Sequence, residues 1–239
     1  MNANLHVQPY KKDFEYSYSI GVFPTLELLA HQPDKVIKVL LSSKSSLNAG
    51  VDKIREICRK HDIKVEIADA FMSKVTGKEN SYAIGVCNKY DAVVDPQENH
   101  LVLVGIRDMG NLGTICRTML GFNIQNLVII KPAADIFDPK AVRASMGALF
   151  QLNFQYFDNF AEYQKTTSHH LYPFMTDGAQ SLREIHFQQP YSLIFGSEAA
   201  GLDASFQGVG TSVMIPQSDK VDSLNLSIAV GIALFQSQI

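Results

Sequence analysis

Short runs of β-branched and aliphatic residues recur along the whole chain, most without strict alternation with polar ones, at 36–41, 63–67, 83–86, 101–106, 127–130, 192–195 and 213–215. A strand with one wet face alternates, so unbroken runs predict strands covered on both faces, as in a parallel sheet. Segments of helical period lie between them. Residues 25–30 place apolar side chains at 26, 28, 29 and 30 ahead of Pro33, and 51–61 gathers Ile54, Ile57 and Cys58 on one face with Arg55 and Arg59 on another. Strands alternating with helices predict α/β architecture.

The 239 residues suffice for one large domain or two smaller ones. Residues 91–100 read Asp-Ala-Val-Val-Asp-Pro-Gln-Glu-Asn-His, a proline and polar cluster that marks a connection. The expected division is a small α/β domain over 1–95 and a larger one over 96–239. Charge follows that division: 13 basic and 12 acidic residues in the first part, 8 and 12 in the second, for a net charge of −3. A generally basic nucleic-acid coat is therefore excluded, while a local site is not. Cys58, Cys87 and Cys116 form no C-x-x-C pair and cannot all pair with one another, which points to a reducing interior. The first six residues lack a signal pattern. The most apolar run, 224–235, is broken by Asn225 and Ser227 and is shorter than the ~20 residues of a membrane span. The expectation is a soluble, cytoplasmic protein.

The common catalytic patterns are missing. There is no G-x-x-x-x-G-K-[ST], no G-x-S-x-G and no H-E-x-x-H, and the neighbours His169 and His170 have diverging side chains. A structural or solvent-facing role suits that pair better than metal binding, and no metal is expected.

Three segments of the second part stand out. Residues 106–117 leave a strand, turn on Gly110 and enter a helix with Asn111 as a plausible N-cap. Arg117 then lies about 9 Å further along, on the face of Gly113 and Thr114. Residues 193–202 run from a buried strand into a glycine-bounded loop, Gly196-Ser197-Glu198-Ala199-Ala200-Gly201, that holds one carboxylate. Open α/β sheets place their ligands at such strand ends. The third segment reads Ile215-Pro216-Gln217 and then Ser223-Leu224-Asn225-Leu226, with Ser223 able to cap a last helix that is apolar nearly all round. Such a helix must be buried on more than one side, in a core or at a subunit interface.

In this order and separation, Asn111-x-Gly113-x-x-x-Arg117, Gly196-Ser197-Glu198-x-x-Gly201-Leu202 and Ile215-Pro216 followed by Ser223-Leu224-Asn225 resemble the three motifs of the SpoU/TrmH branch of the SPOUT RNA methyltransferases. Arg143-Ala144-Ser145-Met146-Gly147 looks like a helix that this family carries between its first two motifs, and Met109 stands where members usually have proline. The N-terminal part is similar, more loosely, to the small RNA-substrate-binding domain of many members, which resembles a ribosomal-protein fold. The resemblance implies a parallel-sheet domain ending in a trefoil knot, a homodimer, and methyl transfer from S-adenosylmethionine to a ribose 2′-hydroxyl of tRNA or rRNA. It implies a donor pocket involving Gly196, Ile215 and Leu224. The polar groups around the reacting centre would be Asn111, Arg117, Glu198, Ser223 and Asn225.

The residue types suit that reaction. A sulfonium is an activated donor with a neutral leaving group, so the site must chiefly align the reactants and ease the unmasking of a weakly acidic hydroxyl. Arg117 is the family's candidate base. Holding it neutral at pH 7 costs ~7 kcal/mol, which favours a clamp on phosphate and developing alkoxide instead. Glu198 would hold Arg117 or Asn111 in place. The densest basic run, Lys53, Arg55, Arg59, Lys60 and Lys64, is a candidate RNA grip, with Asp52, Glu56 and Asp62 interleaved. The alternative function is an RNA-binding protein of the same fold without catalysis.

Overall fold

The computed structural model describes residues 7–45, 48–76 and 81–239; the first six residues, read above for a signal pattern, lie outside it. The chain forms two compact units, Met1–Tyr90 with Asp135–Gln151, and Asp91–Ala134 with Leu152–Ile239. In chain order the first contributes β1 (Tyr16–Ile20), α1 (Val22–His31), β2 (Val36–Leu41), α2 (Ala49–Lys60), β3 (Lys64–Ile67), α3 (Asp69–Thr76) and β4 (Ala83–Asn88). The second begins with β5 (His100–Val104), α4 (Met109–Gly121) and β6 (Asn126–Ile130). Helix α5 (Pro139–Ala144) belongs again to the first unit, and β7 (Asn153–Phe157), α6 (Phe160–Gln164), β8 (His170–Pro173), β9 (Gln180–Ser181), β10 (Tyr191–Phe195), β11 (Val213–Met214) and α7 (Leu226–Gln236) complete the second.

The first unit is a four-stranded sheet of order β1-β4-β2-β3, with β1 and β2 antiparallel to β4 and β3 parallel to β2. Tyr18, Leu40, Met72, Ile84 and Val86 form one of its apolar clusters. Helix α2 is capped by Asn48, whose side chain accepts from the amides of Gly50 and Val51, and it buries Val51, Ile54 and Cys58. Its outer face exposes Lys53, Arg55, Arg59 and Lys60, of which Lys60 pairs with Glu56 at 2.8 Å. The segment Asp135–Gln151 departs from the expected division at residue 95, and specific bonds explain why. Asp135 takes the Lys89 ammonium at 2.8 Å, the Ser17 hydroxyl donates to the Phe137 carbonyl, and Gln151 donates to Glu27 at 2.8 Å. The family-like stretch Arg143–Gly147 thus sits in the first unit.

The second unit carries a five-stranded sheet of order β7-β6-β5-β10-β8 in which every neighbouring pair is parallel. The central strands β6 and β10 are buried along their whole length, as unbroken apolar runs require. Among the described residues no helix is long and apolar enough to cross a membrane.

At the N-terminal ends of β5, β10 and β8 the polar groups close on one another. His100 meets the Tyr163 hydroxyl at 2.8 Å and the Asp95 carbonyl at 2.8 Å. The Tyr163 hydroxyl meets Ser192 at 2.6 Å, and Ser192 meets His169, whose other nitrogen reaches the Pro96 carbonyl at 2.9 Å. Burial pushes His100 down to about 4 and lowers His169 as well. Both rings are neutral structural members at pH 7. The three cysteines are buried and unpaired, and burial pushes Cys58 up to about 11 and Cys87 and Cys116 to about 12, which excludes a thiolate nucleophile at neutral pH.

Helix α7, expected to be buried on more than one side in a core or at a subunit interface, is only partly covered. Leu226, Val230, Ala233 and Leu234 enter the core, whereas Ile228, Ile232, Phe235 and Ile239 form an exposed stripe.

Candidate functional site

The opposite, C-terminal ends of the same strands are open. Beyond β10 and β8 lies a cavity of about 490 Å³ whose walls come from four pieces of the second unit: 174–177, 195–202, 213–217 and 223–229, with Asn111 of α4 at the edge. The rings of Phe174 and Phe195 stack at 4.4 Å and line it. The volume is that of an ordinary small-molecule site.

Helix α4 is capped three residues earlier than the expected N-cap Asn111. Asp108 is the N-cap, its carboxylate accepting the Asn111 amide at 2.7 Å, because an acidic cap serves the amide three residues on. Met109 is then the first helical residue. That is a position proline also favours, so the methionine leaves the helix start intact. Asn111, freed from capping, points its amide to other work. Its Nδ2 donates to Glu198 at 3.2 Å, and its Oδ1 accepts from Asn225 at 3.4 Å. Glu198 also accepts the backbone amides of Arg107 at 3.3 Å and Asp108 at 3.2 Å. A carboxylate is well placed against the amides that open a helix. The last helix is likewise capped by Asn225 rather than by Ser223, Asn225 accepting the Ser227 amide at 2.9 Å.

The loop 196–202 folds back on itself through a bond from the Gly201 amide to the Ser197 carbonyl at 2.9 Å. A Cβ on Gly196 would lie 2.0 Å from the Gly201 carbonyl carbon. The glycine is therefore demanded by the loop's own backbone, a stronger reason than room for a ligand. On the facing loop, the Met175 amide donates to the Val213 carbonyl at 2.9 Å. A Cβ on Gly178 would lie 2.4 Å from the Val213 carbonyl carbon, so the residues between them are pinned.

Of the eight residues singled out from the sequence, Gly196, Ile215, Leu224, Asn111, Glu198, Ser223 and Asn225 line the cavity. Arg117 does not. It is exposed on α4, and among the described residues it has no hydrogen-bond or ion-pair partner. Glu198 thus holds Asn111 and not Arg117. Sequence reasoning missed Thr176 and Asp177, which follow the unrecognised strand β8; Gly178 was the available signal. Among the described residues the charged ones lining the cavity are Asp177 and Glu198, with no lysine or arginine. An apolar floor, small residues in the loops and two carboxylates fit a cationic adenosyl sulfonium and disfavour a phosphate ligand.

The SpoU rRNA Methylase family model matches residues 98–235, more than half of the chain. A tRNA/rRNA methyltransferase of Synechocystis sp., itself uncharacterized, is 37% identical over 142 residues, 58% of this chain and 52% of the relative, so the chain spans about half the length of that protein. The 23S rRNA (guanosine(2553)-2′-O)-methyltransferase RlmP of Bacillus subtilis is 26% identical over 171 residues, 70% of this chain and 68% of the relative. The AdoMet-bound rRNA methyltransferase of Sinorhizobium meliloti superposes with a TM-score of 0.79 at 25% identity, covering 94% of this chain and 87% of that one. The matched stretch contains all four walls of the cavity, and with it the chain belongs to the SpoU rRNA methylase family.

Proposed function

We propose that the chain transfers a methyl group from S-adenosylmethionine to a ribose 2′-hydroxyl of RNA, with ribosomal RNA, the substrate of the named Bacillus and Sinorhizobium relatives, as the favoured class and tRNA as the other. The observation that carries this reading is the meeting of four separate chain segments around one anionic, apolar-floored cavity beside the Glu198–Asn111–Asn225 chain. When bound, the donor supplies an activated methyl with a neutral leaving thioether. What the residues supply is placement. Gly196, Ile215 and Leu224 enclose the adenosyl group. Glu198 fixes the first turn of α4, so the Asn111 amide is held between two partners and offers a preset dipole beside Ser223 and Asn225. Arg117, exposed about two turns along α4, grips the RNA phosphate and steadies the developing alkoxide as a cation rather than as a base. A binder without catalysis finds no support, since every polar residue the reaction calls on is present and the relatives reported above are named as methyltransferases.

Three further features belong to this reading. A trefoil knot in the C-terminal part is consistent with the pairing of 171–182 along 211–214, through bonds from Thr211 to Leu171, Gln180 to Ser212 and Leu182 to Met214. A homodimer is supported by the exposed Ile228, Ile232 and Phe235 of α7 with Ile239 beyond it, an apolar stripe that a second copy would cover. The first unit serves as the RNA-substrate-binding domain, gripping phosphates with Lys53, Arg55 and Arg59 of α2 together with Lys60 and Lys64. Work on such RNA belongs in the cytoplasm. Mapping 2′-O-methyl positions in total RNA from cells with and without the protein tests the activity; an unchanged map overturns it. Light scattering at micromolar concentration tests the dimer, and a monomer there overturns that part.

A further inference from the structure

The two carboxylates of the cavity differ in what is left for a ligand. Glu198 is engaged by three donors, two of them backbone amides. Among the described residues Asp177 receives a single bond, from Gln207 to its Oδ2 at 2.7 Å, and its backbone is held by the pinning of Met175 and Gly178 against Val213. One oxygen is thus anchored and the other is available at a fixed place on the cavity wall. A carboxylate with spare acceptor capacity calls for hydrogen-bond donors. The amino-acid head of the donor carries a carboxylate beside its ammonium, so at Asp177 repulsion opposes attraction, and among the described residues no lining lysine or arginine takes up that carboxylate. A vicinal diol brings two donors and no charge.

We infer that Asp177 is a donor-binding residue that accepts the ribose hydroxyls of the adenosyl group, an assignment that rests on the methyl-donor reading of this cavity. Gln207 is its positioning partner: by holding Oδ2 it presets the carboxylate, as acidic residues at the strand ends of nucleotide-binding sheets are preset for ribose. The pairing also makes the site selective for ribonucleosides over their deoxy counterparts. Loss of the hydroxyl leaves the carboxylate, now shielded from water, short of a partner.

The test is calorimetric and needs no turnover. S-adenosylhomocysteine and its 2′-deoxy analogue are titrated into the wild-type protein, Asp177→Asn and Gln207→Leu. Asp177 is exposed, so the variants should fold, and unchanged melting midpoints check this. The expected result is a ~10–100-fold loss of S-adenosylhomocysteine affinity in Asp177→Asn, a similar loss for the deoxy analogue on the wild type, and little further loss when the two changes are combined. Gln207→Leu should lose less, in the same pattern. Equal losses for both ligands in Asp177→Asn, or no loss, overturn the ribose assignment while leaving the donor site standing. Failure of the wild-type protein to bind S-adenosylhomocysteine overturns both.

Discussion

The strands β5, β10 and β8 have two ends, and the ends are built on opposite plans. At their N-terminal ends His100, Tyr163, Ser192 and His169 satisfy one another and two backbone carbonyls, and the groups are buried. At their C-terminal ends Asp177, Ser223 and Asn225 surround open space. Both ends are rich in polar side chains, so polarity alone does not mark a site. What marks it is polar capacity left without an internal partner on a backbone that cannot relax to supply one. The sealed end holds the sheet together; the open end is held ready.

The sharpest way to separate the ends is Gly196→Val. A side chain there collides with the backbone of Gly201, so donor binding should be abolished in calorimetry while the sealed end keeps the rest of the fold cooperative. Donor affinity near that of the wild type would show that the loop is not part of the site. Next in size is Arg117→Ala, expected to lower methyl transfer roughly 10²–10³-fold with donor affinity within a few-fold of the wild type. Arg117→Lys should rescue poorly, because an ammonium lacks the planar fork. Retained transfer in the alanine variant would reduce Arg117 to a surface residue.

The sealed end should answer to pH. His100 is held at about 4 against an unfolded value near 6.5, so the unfolded chain binds the extra proton between those values. Its stabilisation is complete above pH 6.5 and is lost as pH falls toward 4, ~3 kcal/mol in all. His169 is shifted the same way, with His170 beside it adding to the effect. Urea unfolding at a series of pH values checks this, and a flat profile from 7 to 4.5 contradicts it. The smallest effect is expected from Tyr163→Phe. It strips a hydroxyl shared by His100 and Ser192, costs about 1–3 kcal/mol of stability and leaves donor affinity alone. A fall in donor affinity there would mean that the two ends communicate.

The sequence was most legible where burial was most complete. β5, β6 and β10 announced themselves because both faces are covered, whereas β7 and β8 are the two edges of the sheet and mix Asn, Gln and His with their aromatic residues. Missing β8 hid Thr176 and Asp177, since a loop is recognised by the strand it follows. The motif residues of the other walls were legible as residues but not as caps. Asp108 and Asn225 took the places given to Asn111 and Ser223, because any short polar side chain near a helix start satisfies the local rule. Which of two candidates wins depends on partners such as Glu198, nearly ninety positions away in the chain. The return of Asp135–Gln151 to the first unit depends likewise on Ser17, Glu27 and Lys89, and no local pattern carries it.

That return also bears on how such a protein can be cut and recombined. The polypeptide passes between its units at three peptide bonds, after Tyr90, after Ala134 and after Gln151. A protease severing the first of these would release nothing, because the detached piece stays clasped by a segment still covalently joined to the rest. A gene fusion borrowing only the first ninety codons would leave behind the acceptor of the Ser17 hydroxyl and the counter-ion of Lys89. Exchange of the first unit between proteins must move two separated stretches of gene together, so the parts are distinct in space while being inherited as one piece.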